Sequence, residues 1–170
     1  MKQHLIITIC HGNIHRSVIA QLCLEHELKN YGKEKEFIVI SRGIQGTNGT
    51  ALPQHQNLYS YTTEYSFTAP LLQELGISIP ATQKTTPINA IDIENASLIL
   101  AMDQNVLRSL ACLFPDYTAK MYIFTELVKK KEDIADCAGS SNSVLYENVI
   151  MSINYVAKTG IHNISLLINK

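Results

Sequence analysis

The sequence predicts one three-layer α/β domain spanning residues 1–170, a four-stranded parallel sheet with helices on both faces. Three observations predict it. Four short apolar segments alternate with segments of helical period, the arrangement that builds a parallel sheet. Two of these segments, Leu5–Ile9 and Leu98–Met102, are continuously apolar, as strands covered on both faces must be. The 170 residues are 46% hydrophobic and 17% charged, enough for one continuous core and not for two.

Each element follows in order. Leu5–Ile9 is a strand that breaks at His11-Gly12-Asn13, and a helix begins at once. Its apolar face is Val18, Ile19, Leu22, Cys23 and His26, with Ser17 as the N-cap expected from its hydroxyl. Phe37–Ser41 is the second strand. The stretch 43–67 holds Gly46, Asn48-Gly49, Pro53 and three tyrosines (Tyr59, Tyr61, Tyr65) without a clear period, and reads as a long functional or mobile loop. Thr68–Leu75 is a short helix closed by Gly76. Leu98–Met102 is the third strand, followed by a helix through Val106, Leu110 and Leu113, and Lys120–Phe124 is the fourth strand. Lys129-Lys130-Lys131 reads as a solvated helix end. Val144, Leu145, Val149, Ser152, Ile153 and Val156 mark a long final helix that Gly160 is expected to stop.

Composition excludes several classes of function. A formal net charge of -1 leaves no surplus to hold a nucleic-acid backbone or an anionic membrane across the surface. The apolar runs fall far short of the roughly 18 residues of a membrane span. Leu5–Cys10 is too short for a secretory signal. The four cysteines (Cys10, Cys23, Cys112, Cys137) are dispersed with no Cys-x-x-Cys pair, which argues against a disulfide framework or a structural zinc site. The expected compartment is a reducing cytoplasm.

The chemistry sits in Cys10-His11-Gly12-Asn13-Ile14-His15-Arg16-Ser17. The segment lies between a strand end and a helix start, where main-chain N–H groups lack partners and the helix dipole favours an anion. A cysteine in such a place is favoured as thiolate, the nucleophilic form. Gly12 lets the backbone curl so that the amides of the loop face inward as an anion nest. Arg16 adds a fork of donors that matches two oxygens of a phosphoryl group. Ser17 can donate to the thiolate and stabilise it again as a leaving group. Together these parts describe phosphoryl transfer through a phosphocysteine. Cys, Gly, Asn, Arg and Ser at this spacing arise by chance on the order of once in ten thousand chains of this length. No metal or cofactor is called for, because Arg16 and the loop amides supply the positive charge.

The loop resembles the signature C-x-G-N-x-C-R-S-P of the low-molecular-weight protein tyrosine phosphatase family, and the resemblance runs over nearly the whole chain. Ser41-Arg42-Gly43 resembles that family's Ser-Ala-Gly turn, and Leu98–Asp103 its third strand with a terminal Asp. Asp133-Ile134-Ala135-Asp136-Cys137-Ala138-Gly139-Ser140-Ser141 resembles its acid loop, D-I-P-D-P-F-G-G-S. The resemblance implies that Cys10 attacks phosphorus, that Arg16 and the loop from His11 to Ser17 hold the phosphoryl oxygens, and that Asp136 protonates the leaving phenol. From the residues alone Asp136 is one of three acids, with Glu132 and Asp133, in a polar stretch. Implied partners are a phosphotyrosyl protein or a small aryl phosphate, with the chain a monomer or weak dimer.

The departures from that pattern are specific. His15 replaces the second cysteine, so a disulfide to Cys10 inside the loop cannot form; the imidazole is either a cation reinforcing the anion site or a ring packed under the helix. Val18 replaces a proline at the helix start. Cys137 replaces the proline after the acid, which loosens that loop and places a thiol beside it, in possible redox reach of Cys10. Ala138-Gly139 stand where aromatic residues commonly sandwich the substrate ring, Thr47 and Asn48 where the opposite wall is bulky, and Ala81 and Lys84 where a His and an Arg are common. A ring from Tyr59–Tyr65 is a candidate replacement. Asn13 is expected to tie the loop to Ser41 or Ser17, and Asp103 either to orient Arg16 or to cap the next helix. Two alternatives to a phosphatase stand beside it: a catalytically slow phosphate- or phosphopeptide-binding module, and, less favoured because Cys112 and Cys137 are far apart in sequence, an arsenate reductase.

Overall fold

The computed structural model describes residues 3–170. Strands β1 (His4–Cys10), β2 (Phe37–Gly43), β3 (Ala96–Ala101) and β4 (Met121–Ile123) form a parallel sheet in the order β2-β1-β3-β4. The helices are α1 (Arg16–Asn30), α2 (Thr62–Glu74), α3 (Ala90–Asn95), α4 (Gln104–Leu113), α5 (Ser143–Gly160) and α6 (Ile164–Ile168).

The period of two along the central strands separates two cores. Ile6, Cys10, Leu98, Leu100 and Met102 face a core shared with α1, α2 and α5. Ile7, Ile9, Ile99 and Ala101 face a second core with Ile93 of α3 and with Val106 and Leu110 of α4. Ile6, Ile7 and Ile9 are fully buried, and each such side chain contributes about 1.5–3 kcal/mol. Thr8 is the buried polar residue of β1; its hydroxyl donates to the Ser17 carbonyl at 2.8 Å, tying the strand to the first turn of α1. This layering brings the carboxyl ends of β1 and β3 to one edge, where ligands of parallel sheets bind.

Several boundaries differ from expectation. The helix expected over Thr68–Leu75 begins six residues earlier, at Thr62, and carries Pro70 in its interior. The supposed loop is shorter by that amount and includes a 3₁₀ turn at Leu58–Ser60. Gly76 does close the helix, with φ +71°. The fourth strand keeps only three residues. α5 does end at Gly160, but it is not the last helix: a 3₁₀ turn at Ile161–Asn163 leads on into α6, and a Cβ at Gly160 would lie 2.5 Å from that of Leu127, so the glycine also permits close packing. α3 and α6 were not expected. Lys129-Lys130-Lys131 follow a 3₁₀ turn, with Lys130 and Lys131 paired to Glu132 and Glu126. Among the described residues no helix is long and apolar enough to cross a membrane.

Candidate active site

Cys10 ends β1, and the loop that follows returns to it. The Asn13 N–H donates to Cys10 Sγ at 3.2 Å, and Ser17 Oγ lies 3.1 Å from the same sulfur. Asn13 Nδ2 donates to Ser17 Oγ at 3.0 Å, which leaves the Ser17 proton free to point at sulfur. Ser17 is therefore not the N-cap of α1. His15 occupies that position without a side-chain cap, and the Ser17 hydroxyl is spent on the thiol and on Asn13. The left-handed residue of the loop is Asn13, at φ 54°, and not Gly12. Asparagine tolerates that conformation, and its amide bonds compensate the cost. Of the two tethers expected for Asn13 the structure has Ser17, and adds the Thr86 N–H, which donates to Asn13 Oδ1 at 2.9 Å. Ser41 Oγ is buried and has no hydrogen-bond partner among the described residues. Thr85 Oγ1 donates to the Gly12 carbonyl at 2.6 Å, so 85–86 brace the loop from outside.

Arg16 is 5% exposed and spans two carboxylates. Nη1 donates to Asp103 Oδ2 at 2.7 Å and to the Ile134 carbonyl at 2.8 Å, and Nη2 donates to Asp136 Oδ2 at 3.0 Å. Burial opposes its charge, but Cys10, Asp136 and Asp103 outweigh that and raise its pKa. Asp103 performs both roles foreseen for it, because its other oxygen accepts from the Val106 N–H at 2.8 Å and caps α4. Its side chain is 15% exposed and that of Asp136 is 57% exposed, so the first pair is fixed and the second can open.

The segment carrying Asp136 has no regular structure and is held at intervals. The Ile134 N–H donates to the Met102 carbonyl at 2.9 Å, and Asp133 accepts from the Gln104 N–H at 2.9 Å. The Ala138 N–H donates to Asp136 Oδ1 at 3.1 Å, the Gly139 N–H to Glu64 Oε1 at 3.2 Å, and the Tyr146 hydroxyl to the Ser140 carbonyl at 3.2 Å. Cys137 is buried, with Sγ 3.6 Å from His15 Nδ1.

Of the two readings of His15, the structure has the packed ring. Its Nε2 is 2.8 Å from Thr68 Oγ1, and the ring meets Tyr146 edge-on at 5.6 Å between centroids. Burial, with Arg16 adding and Asp136 opposing, lowers its pKa to about 4, so it is neutral and adds no charge to the loop.

A cleft of about 270 Å³ opens over Cys10. His11, Gly12, Ile14, His15 and Arg16 form its floor, while Asn13 and Ser17 lie behind it, 1% and 0% exposed. Asp136, Cys137, Ala138 and Gly139 form one wall. Gln45 and Pro53, not Thr47 and Asn48, stand on the other, and Ala81 and Lys84 do not reach it. Of the three candidate rings Tyr61 lines the cleft; Tyr59 and Tyr65 instead meet each other at a tilt, 4.8 Å between centroids, beside a separate pocket. Sequence reasoning missed Leu58, Glu64 and Tyr146. A helix recognised from Thr62 would have exposed Glu64 as a neighbour of Tyr61; Tyr146 carried no local signal.

The profile of the low molecular weight phosphotyrosine protein phosphatase family matches residues 5–164. Among solved structures the chain resembles the low molecular weight protein tyrosine phosphatase of T. tengcongensis, with 23% identity, 95% of this chain and 100% of that one covered, and a TM-score of 0.78. It resembles the YwlE arginine phosphatase of Geobacillus stearothermophilus at 20% identity, covering 96% and 94%, with a TM-score of 0.75. Vibrio vulnificus Wzb, in complex with benzylphosphonate, is 17% identical over 96% and 100%, with a TM-score of 0.73. No curated protein matches the sequence. These structures share the fold, and the profile extends from the first strand to the last helices: the chain belongs to the low molecular weight phosphotyrosine protein phosphatase family.

Proposed function

We propose that the protein hydrolyses phosphomonoesters through Cys10, with an aryl phosphate such as a phosphotyrosyl side chain as its substrate. The observation that carries this reading is the convergence of three groups on one cleft: the Cys10 sulfur held by the Asn13 N–H and Ser17, the Arg16 fork, and the Asp136 carboxylate 3.0 Å from that fork. Substrate oxygens replace Asp136 on Arg16 and take the loop amides as donors. The Cys10 thiolate forms an S–P bond as the P–O bond to the leaving group breaks, and Asp136 gives its proton to that oxygen. Water then attacks phosphorus while the Asp136 carboxylate takes a proton from it. The S–P bond breaks, inorganic phosphate forms, and the Ser17 hydroxyl stabilises the returning thiolate.

Tyr61, with Pro53 and Leu58, offers the aryl ring an apolar wall. A phosphorylated guanidino group is a second substrate reading, favoured by Glu64. Its carboxylate lines the cleft beside Asp136 and suits a cationic leaving group.

Hydrolysis of para-nitrophenyl phosphate by the native chain, by Cys10→Ser and by Asp136→Asn tests the mechanism. We expect no turnover from the first variant and a loss of about a hundredfold or more in the second. A folded native chain that binds phosphate without turnover would leave an anion-binding module in place of an enzyme. Comparing a phosphotyrosyl with a phosphoarginyl peptide decides between the two substrate readings.

A further inference from the structure

Asp136 and Cys137 are neighbours with opposite surroundings. The Asp136 side chain is 57% exposed and Cys137 is 1% exposed. A buried side chain beside an exposed functional one fixes where the backbone between them lies. Cys137 Sγ meets His15 Nδ1 at 3.6 Å, and His15 Nε2 meets Thr68 Oγ1 at 2.8 Å. The contacts form a chain from α2 through the Cys10–Ser17 loop to the segment carrying Asp136. Burial lowers the imidazole to about 4, and burial with Asp136 raises the thiol to about 12, so both partners are neutral at physiological pH. The bond between them is a neutral one between buried groups, where leaving either partner unpaired is costly. Backbone bonds at Ile134 and Gly139 hold the segment on either side. His15 and Cys137, one departure from the family pattern in each loop, are each other's partners. A proline after Asp136 would fix the chain covalently; here a buried side-chain bond does so.

We propose that the Thr68–His15–Cys137 chain latches the acid segment onto the phosphate loop, making His15 and Cys137 positioning residues for Asp136. The inference rests on the general-acid reading of Asp136 given above.

Leaving groups separate positioning from folding. Phenyl phosphate needs a proton delivered to its leaving oxygen, whereas 2,4-dinitrophenyl phosphate departs without one. Native protein, Cys137→Ala, Cys137→Ser, Thr68→Val and Asp136→Asn are compared on both substrates. In Cys137→Ala we expect kcat/KM on phenyl phosphate, which reports the step that forms the phosphocysteine, to fall about tenfold, and kcat/KM on the dinitrophenyl ester to stay within about twofold. Cys137→Ser, which keeps a hydrogen-bonding group, recovers part of the loss, and Thr68→Val shows a smaller loss of the same kind. Selectivity in Asp136→Asn without selectivity in Cys137→Ala would overturn the latch and leave the mechanism standing. Equal losses in kcat/KM on both esters in Asp136→Asn would instead remove the general-acid reading and the positioning role with it. Amide hydrogen exchange at residues 136–139 reads the latch directly. Faster exchange in Cys137→Ala than in Cys137→Ser is the expected result, and native protection in both would overturn it.

Discussion

Arg16 must stay charged while 5% exposed and still be free to grip a phosphoryl group. Asp103 and the Ile134 carbonyl occupy Nη1 and fix the plane of the guanidinium, and Nη2 is left to the exposed Asp136, which a dianion can displace. Arg16→Lys keeps the charge and loses the planar fork, so kcat/KM should fall about a thousandfold. Asp103→Asn keeps an oxygen able to cap α4 and removes the fixed counter-charge, with an expected loss of about tenfold. Steady-state kinetics on para-nitrophenyl phosphate checks both; Arg16→Lys within tenfold of native would remove Arg16 from the centre of the site. Cys10 and Arg16 were legible in the sequence because the chemistry demands those residue types at a fixed spacing, whereas Asp136, one of three acids in its stretch, was singled out only by the family resemblance. Asn13 was legible only in part. Its tie to Ser17 spans one helical turn, but its bond to Thr86 crosses 73 residues and its φ of 54° depends on that brace. Glu64 and Tyr146 reach the cleft from helices whose position only the folded chain fixes.

Gly43 shows how an element shapes the site without touching substrate. It ends β2 opposite Cys10, and a Cβ there would lie 3.0 Å from Asn13 Cβ and 3.1 Å from the backbone of both Asn13 and Gly12. Alanine must push the phosphate loop by a few tenths of an ångström. Gly43→Ala should lower kcat/KM about tenfold or more, while Tm drops by only about 2–4 °C, as a loss near 1 kcal/mol does in a chain of this size. A thermal scan beside the kinetics checks it, and a fall in Tm with native activity would show that the loop tolerates the push. Strands were readable for a related reason: β1 and β3 are buried on both faces and their sequences are unbroken apolar runs. α2 was misplaced because Pro70 suggests a helix start near it, while Thr62–Phe67 shows no apolar period. Its first turns gain their stability from packing on α5 and from Thr68 beneath His15, neither of which local sequence records.

Across the whole molecule, His15 joins stability to pH. It is held among Thr68 of α2, Tyr146 of α5, Arg16 of α1, and Cys137 and Asp136 of the acid segment, with Glu64 on the same cleft. Burial first, then Arg16, lowers its folded pKa to about 4, and the opposing pull of Asp136 does not compensate. The unfolded chain has an ordinary histidine near 6.5. Between those values the unfolded state binds the extra proton, so protonation favours unfolding and stability declines as pH falls from about 6.5 to about 4. Above that window the neutral ring carries no penalty; below it the penalty reaches roughly 3 kcal/mol. Urea unfolding at pH 7, 6, 5 and 4.5 should therefore show a decline that is shallower in His15→Gln, which places no titrating group in the same pocket. Carboxylates elsewhere contribute to both proteins alike, so the difference between the two curves isolates His15, and parallel curves would place its titration outside this window. The same proton would set a cation beside Arg16 at the joint between the phosphate loop and the acid segment. Stability and the placement of Asp136 should consequently weaken together toward low pH, at a buried side chain that touches both loops.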